Sequence, residues 1–156
     1  MPVMASLESK IPPPAVVVIT GVLMWLVSRA TPRLGFDLPE HAWLGAALGV
    51  VGFVTGATGV ATFRKANTTV NPIKVHSASS LVTWGVYRLS RNPMYLGGLI
   101  MLIGWALFLL NAPAFVLLAV YVLYINRFQI VPEERALTSL FGSEYVAYQA
   151  RVRRWL

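Results

Sequence analysis

The feature that most constrains this chain is a run of 35 uncharged residues, Asn92 to Asn126, which lies between Arg91 and Arg127. A transmembrane helix needs about 20 apolar residues, so the run is long enough for two short crossings. Asn111-Ala112-Pro113 interrupts it near the middle, and such a sequence is typical of a tight reversal. The run therefore predicts an antiparallel helical hairpin that brings Arg91 and Arg127 to the same face of a membrane.

The composition agrees with a membrane location. Hydrophobic residues make up 56% of the chain and charged residues only 12%, with a mean hydropathy of +0.64. A soluble domain carries about 25% charged residues. We therefore expect an all-α integral membrane protein in which residues 1–156 form a single domain, with a first span and loop in 1–44 and a core in 45–156.

Four apolar stretches predict four transmembrane helices, followed by a cytoplasmic helical tail. They are the segment between Lys10 and Arg29, Ala42 to Phe63, Met94 to Leu110, and Ala114 to Ile125. Basic residues are concentrated in the 64–91 connection and in the tail from Arg127, whereas the 111–113 turn has none. Because basic loops stay inside, this pattern predicts that both termini face the cytoplasm, in a bacterial inner membrane.

Several local patterns predict structure between and after the spans. The pairs Gly45/Gly49 and Gly52/Gly56 have the spacing that lets membrane helices approach closely; the alternative is that Gly56 to Gly59 leaves room for a ligand. Ser79 or Ser80 is expected to cap a short helix that carries Leu81, Val82 and Trp84 and is broken at Gly85.

The tail is expected to contain two helices. The first begins at Pro132, has Glu133 and Glu134 in its first turn, and ends at Gly142. The second begins at Ser143 and is expected to lie on the membrane surface as an amphipathic helix. Its aromatic and apolar face consists of Tyr145, Tyr148, Val152 and Trp155.

Composition also excludes several classes of site. The chain has no cysteine, so it has neither disulfides nor thiolate metal sites. Its two histidines, His41 and His76, are too far apart in sequence to suggest a metal centre. The net charge of +7 comes mostly from residues beside apolar segments, which favours a topology signal over nucleic-acid binding.

Two polar clusters are expected to meet where the hairpin begins and ends. The stretch Ser90 to Gly98 lies where the third span begins, and Arg127 to Arg135 follows the fourth. Their opposite charges, next to glycines and tyrosines, suit a zwitterionic ligand. Taken separately, each cluster has a simpler interpretation, namely a positive-inside anchor and a pair of carboxylates at a helix N-terminus.

Both clusters resemble the signatures of one family. Leu81 to Gly97 is similar to the signature of the isoprenylcysteine carboxyl methyltransferases and their bacterial relatives, and Pro132 to Leu137, Phe141-Gly142, Tyr145, Tyr148 and Val152 match that family's C-terminal pattern. The resemblance covers residues 45 to 156. It implies an integral membrane methyltransferase that uses S-adenosylmethionine. Asn92 stands where this family has histidine. The Asn-Pro-Met-Tyr version found here is similar to the phospholipid N-methyltransferases of the same superfamily.

The resemblance also implies which residues form the site. Those expected to bind the cofactor are Tyr87, Arg91, Asn92, Pro93, Tyr95, Leu96, Gly97, Gly98, Glu133 and Glu134, and those expected to act on the substrate are Arg127 and Glu133. Arginine and amide groups suit the carboxylate of the cofactor, glutamates suit its ammonium, and tyrosines suit its adenosine and sulfonium. The glycines are expected to let the cofactor approach the backbone. Arg127 is expected to steer an acidic group of the substrate, and Glu133 to take a proton from an amine.

The methyl acceptor stays open at this point. A lipid or another lipophilic small molecule fits, through either carboxylate O-methylation or amine N-methylation. Two other classes of protein remain as alternatives: a sterol-reductase-like enzyme that uses NADPH, and a non-enzymatic membrane scaffold or transport subunit. The glycine-rich second span leaves an oligomer open.

Overall fold

A computed structural model describes residues 11–66 and 80–156, whose regular structure is helical, as predicted. The expectations for Ser79 and His76 lie outside these ranges. These ranges contain five α-helices: α1 (Pro13–Ala30), α2 (His41–Lys65), α3 (Pro93–Leu109), α4 (Ala112–Ile125) and α5 (Val131–Arg151). The same ranges also contain two short 3₁₀ turns, Pro32–Leu34 and Gly85–Arg88, and a π turn, Asn126–Ile130.

By length and composition, three helices in the described residues could cross a membrane: α1, α2 and the continuous helix Ala112–Arg151; α3 is apolar but shorter. The all-α membrane fold is thus confirmed. The expected break between the fourth span and the helix at Pro132 is wrong, because α4, the π turn and α5 follow one another without a gap. Proline lacks an N–H and crowds the preceding turn, and the chain widens into a π turn just before Pro132. The apolar part of this helix ends at Asn126, and charged residues follow.

Helix α3 lies at the centre and packs against α1, α2 and α4. Its contact with α2 is made through glycines. A methyl group added to Gly52 would lie 2.6 Å from the carbonyl oxygen of Gly97, and one added to Gly45 would lie 2.7 Å from that of Gly104. The predicted close packing is therefore confirmed at Gly45 and Gly52, whereas a methyl group on Gly56 would have its nearest neighbour at 3.9 Å and one on Gly49 none of the described atoms within 4 Å. The contact thus repeats every seven residues, a spacing of two helical turns that keeps one face toward the partner, and not every four as predicted.

The far end of the hairpin is closed by Asn111. Leu110 has a positive φ of 46° and ends α3. The Asn111 side-chain amide then donates to the carbonyl oxygen of Thr31 at 2.9 Å, which ties the turn to the end of α1. A reversal at 111–113 was predicted, and this hydrogen bond explains why a buried, uncharged asparagine can occupy the turn.

At the other end, the chain enters α3 through a short turn that differs from the prediction. Residues 80–84 are not helical, and the 3₁₀ turn begins at Gly85, where a helix was expected to stop. Gly85 has a φ of +63°, which a side chain disfavours, so it reverses the chain at this point. The reversal places the Tyr87 ring against Phe63 of α2, with centroids 5.1 Å apart.

The last helix also ends earlier than predicted. Gly142 was predicted to separate two helices. It has a non-helical φ of 50° and ψ of −124°, and it forms a kink inside α5. The helix then continues to Arg151. Val152 and Trp155, which were expected on the same helix, follow it in non-helical chain, because Val152 adopts an extended conformation. We call residues 152–156 the C-terminal tail.

The glycine contact predicts a specific instability. Gly52→Ala is expected to lower the free energy of unfolding by about 1–3 kcal/mol, because the added methyl group meets the backbone of α3. Gly49→Ala on the same helix is the matched control, since nothing lies within 4 Å of its added methyl group. Equilibrium unfolding in mixed micelles measures both. Equal stabilities would contradict the packing described here.

Candidate active site

The two polar clusters meet at the carboxylate of Glu134. The guanidinium of Arg91, at the entry to α3, lies 3.2 Å from Glu134 Oε1. Arg154, in the C-terminal tail, donates from Nη2 to Glu134 Oε2 at 2.6 Å and from Nε to Oε1 at 3.1 Å. The Arg91 and Glu134 side chains are only 11% and 14% exposed, so their charges attract more strongly than they would in water. The proximity that the hairpin predicted is thus present.

Backbone carbonyl groups of the tail hold the first cluster from the other side. The backbone N–H of Arg91 donates to the carbonyl oxygen of Arg153 at 3.0 Å. The side-chain amide of Asn92 donates to the backbone carbonyl oxygen of Arg154 at 2.9 Å. The hydroxyl of Ser90 accepts the backbone N–H of Asn92 at 3.1 Å. One hydrogen of the Asn92 amide is therefore already committed to the protein.

Glu133 points toward α3. It accepts a hydrogen bond from the hydroxyl of Tyr95, and the hydroxyl of Tyr121 in turn donates to the backbone carbonyl of Tyr95 at 3.2 Å. Burial raises the pKa of Glu133 to about 7, the hydrogen bond from Tyr95 lowers it, and the neighbouring Glu134 raises it. Near neutral pH the Glu133 carboxyl can therefore gain or lose a proton.

Further tyrosines enclose the cluster. The hydroxyl of Tyr148 donates to the backbone carbonyl of Tyr87 at 2.7 Å, which joins α5 to the turn before α3. Burial raises the pKa of Tyr87 and of Tyr148 well above the ordinary value and that of Tyr145 to about 12. These phenols stay protonated, so they can donate hydrogen bonds but do not supply negative charge.

Within residues 11–66 and 80–156, three buried donors at this site have no hydrogen-bond partner, although the phenol of Tyr145 lies close to the Arg91 guanidinium. They are Nε and Nη1 of Arg91 and the hydroxyl of Tyr87. Buried polar groups in proteins are usually paired, and each exception needs an explanation. Two guanidinium N–H groups and a phenol O–H beside a carboxylate pair form a site that suits a ligand carrying an anionic group.

The structure places the other predicted residues around the site but not all at its surface. Pro93, Leu96, Gly97 and Gly98 are buried. The open approach expected at the two glycines is not found, because a methyl group on Gly97 would meet the backbone of α2, and one on Gly98 would lie 2.6 Å from the Tyr121 hydroxyl. These glycines bring helices together and do not expose backbone to a ligand. Arg127 lies in the π turn, exposed, with its guanidinium over the Phe128 ring.

Sequence reasoning missed Arg154. Arg151, Arg153 and Arg154 all lie in the segment that was predicted to be an amphipathic helix on the membrane surface. Arg154 is instead paired with Glu134, whereas Arg151 and Arg153 are exposed. Nothing in the composition of the tail distinguishes the paired arginine from its neighbours.

An apolar groove of about 570 Å³ lies away from this cluster, between α1 and α3. Its lining consists of Val17, Val18, Gly21, Val22, Trp25, Met101, Leu102 and Trp105. Val17 also packs against Gly98, one turn along α3 from Tyr95. The apolar lining of the groove suits a hydrocarbon chain.

Together, the fold and the site define a class of protein: an all-α membrane protein with a buried, mixed-charge site at the end of a helical hairpin. The phospholipid methyltransferase family model matches residues 41–144, which include α2, the hairpin and both clusters. The chain belongs to this family and is a membrane methyltransferase by class. This membership argues against the reductase and scaffold alternatives.

Individual relatives agree with the family. The chain is 33% identical to protein-S-isoprenylcysteine O-methyltransferase A of Arabidopsis thaliana over 136 residues, which are 85% of this chain and 69% of the relative. It is 32% identical to form B of the same plant over 118 residues, 74% of this chain and 60% of the relative. It is 33% identical to the protein-S-isoprenylcysteine O-methyltransferase of Saccharomyces cerevisiae over 112 residues, 70% of this chain and 46% of the relative.

The raised pKa of Glu133 predicts a pH-dependent stability. The folded protein holds a proton on this carboxyl up to about pH 7, whereas an unfolded glutamate loses it near pH 4.5. The folded state thus binds more protons between these values, and its stability should fall as pH rises through that window. Glu133→Gln should remove this part of the slope, and Glu144→Gln, at an exposed position on the same helix, should keep it. Unfolding in micelles at several pH values measures the slopes; identical slopes for both variants would contradict the assignment.

Proposed function

We propose that the chain methylates a lipophilic carboxylate with S-adenosylmethionine, at the cytoplasmic face of the membrane. The observation that carries the proposal is the set of unpartnered donors on Arg91 and Tyr87 beside the Glu133–Glu134 pair. Family membership supplies the reaction class, and the site supplies groups that match the charges of this cofactor.

The residues present fit the cofactor. Arg91 and Tyr87 would hold its carboxylate, because both offer buried N–H or O–H donors without partners. Glu133 or Glu134 would attract its ammonium, and the tyrosine rings around the cluster would favour its cationic and adenosine parts. When bound, the cofactor supplies an electrophilic methyl group. The role of the protein is then to align that group with the acceptor and to exclude water.

A carboxylate acceptor is favoured by two observations. Three relatives carry the name protein-S-isoprenylcysteine O-methyltransferase, which denotes a lipid-modified substrate. The apolar groove between α1 and α3 could hold such a chain. A carboxylate would need no base: its oxygen would form the bond to the methyl carbon as the bond from that carbon to sulfur breaks, leaving a neutral ester and a neutral thioether. Because the two opposite charges would vanish together, a partly buried site would favour this reaction. Arg127 could guide the acid to this site.

The cytoplasmic location rests on the basic residues. Ile11, where the described chain begins, accepts a hydrogen bond from Gln129 in the π turn, so both ends of the described chain lie at the face that carries the site. Arg64, Lys65, Arg88 and the tail arginines also lie at or beside this end. Because basic residues favour the cytoplasmic side, we place the site there.

A lipid amine is the second candidate acceptor. The family is named for phospholipid methylation, and Asn92 resembles the residue at this position in phospholipid N-methyltransferases. The observation that favours it is the pKa of Glu133, which is raised to about 7 and suits a base that takes a proton from an ammonium group.

Cofactor binding tests the central claim. Arg91→Ala should weaken the binding of labelled S-adenosylmethionine to the purified full-length protein by about 10–100-fold, because charge-assisted hydrogen bonds are lost. Arg88→Ala removes an exposed positive charge three residues earlier and should leave the affinity unchanged. NADPH should not compete. Equal affinity of both variants, or displacement by NADPH, would contradict the proposal.

The pH dependence of methyl transfer should identify the acceptor. A prenylcysteine analogue and phosphatidylethanolamine vesicles are each incubated with labelled cofactor, and transfer is measured from pH 5 to 9. When S-adenosylmethionine is saturating, so that changes in its affinity do not affect the rate, O-methylation should show no rate increase near pH 7, because a carboxylate needs no base. N-methylation should rise through about pH 7 and lose that rise in Glu133→Gln. Labelling of neither acceptor, with the cofactor bound, would rule out both.

A further inference from the structure

We infer that the C-terminal tail is part of the cofactor site and that Arg154 is a positioning residue, which keeps the donors of Arg91 available to an anion. This inference rests on the proposed function, since it assigns the anion to the carboxylate of S-adenosylmethionine. It adds a residue that neither of the two predicted clusters contains.

The tail is held in place at several points. The indole N–H of Trp155 donates to the side-chain oxygen of Asn126 at 3.2 Å, which ties the end of the chain to the π turn. The carbonyl oxygen of Arg154 accepts hydrogen bonds from the side chains of Asn92 and Ser90. The carbonyl oxygen of Arg153 accepts the N–H of Arg91. These contacts link the tail to both sides of the site.

The arrangement around Glu134 explains why Arg154 matters. An isolated arginine and carboxylate favour a bidentate pair with two parallel N–H···O bonds. Arg154 takes this role, because its Nη2 and Nε reach both oxygens of Glu134. Arg91 then contacts Glu134 through Nη2, and its Nε and Nη1 have no hydrogen-bond partner in the part of the chain that the structure describes.

Without Arg154, the Arg91 guanidinium could turn and pair with Glu134 through two of its N–H groups. The donors assigned to the cofactor carboxylate would then be consumed inside the protein. The tail arginine therefore acts on cofactor binding through Glu134 and Arg91 and need not touch the cofactor.

The test compares single-charge changes on the full-length protein in micelles. Arg154→Ala should raise the dissociation constant and the KM for S-adenosylmethionine about tenfold, with kcat changed less than twofold, since the residue acts in binding. Arg151→Ala, an exposed residue at the end of α5, should change neither. Arg154→Lys keeps the charge but lacks the planar fork, so it should lose part of the affinity. If Arg154→Ala does not fold, Arg154→Lys carries the test.

A double variant shows whether the effect passes through Glu134. Arg154→Ala combined with Glu134→Gln should bind the cofactor no more weakly than Glu134→Gln alone, because the coupled pair is already broken. Additive losses, unchanged affinity in both Arg154 variants, or tighter binding in Arg154→Ala would overturn the inference; tighter binding would show that the tail competes with the ligand. A wild-type protein that does not bind S-adenosylmethionine would instead overturn the proposed function.

Discussion

The structure of this site depends on one shared carboxylate. Glu134 accepts from Arg91 and Arg154, which come from segments far apart in the sequence, and it is only slightly exposed. Two guanidinium groups in a partly buried position would repel each other without it. Without the carboxylate, the Arg91 side chain, which is 11% exposed, would keep its desolvation penalty with no counter-charge, whereas solvent would partly screen Arg154, which is 37% exposed. The entry to α3, the start of α5 and the C-terminal tail are thus joined by electrostatic interactions at this carboxylate.

The helix packing brings these charges together at one end of the helical hairpin. Helix α3 has 17 residues and is therefore about 25 Å long, which is shorter than the hydrocarbon core of about 30 Å. At least one of its ends is then close to lipid, where unpaired backbone and side-chain groups are costly. Both ends meet that requirement through asparagines: Asn111 bonds to Thr31 at one end, and Asn92 bonds to the carbonyl of Arg154 at the other. Glycines on α2 and α3 allow the close packing that supports this central helix.

The sequence predicted the helices and the meeting of the clusters because both follow from the uncharged run and its single reversal. The positions of charged residues along the chain can be read directly from the sequence. They identify Arg91, Glu133 and Glu134 as members of the two polar clusters. The turn at Gly85 and the pairing of Arg154 could not. Gly85 is defined by a backbone angle that follows from packing of Tyr87 on Phe63, and Arg154 differs from Arg151 only through its tertiary neighbours. Gly97 and Gly98 were predicted to leave room for the cofactor beside the backbone. In the structure, the atoms that require small residues at these positions belong to neighbouring helices.

The π turn decides which carboxylate faces which partner. Tyr121 and Glu133 both bond to Tyr95, through its carbonyl oxygen and its hydroxyl respectively. Twelve residues separate them, and in a regular α-helix that separation would place them about 120° apart around the axis. A π turn accommodates one additional residue. The angle between Tyr121 and Glu133 around the helix axis is thereby reduced to about 20°, so both side chains lie on the face toward α3. The adjacent Glu134 then points about 100° away, toward Arg91 and Arg154. One local irregularity thus gives two neighbouring glutamates different surroundings: Glu133 lies in an apolar environment next to a phenol, and Glu134 lies between two cations.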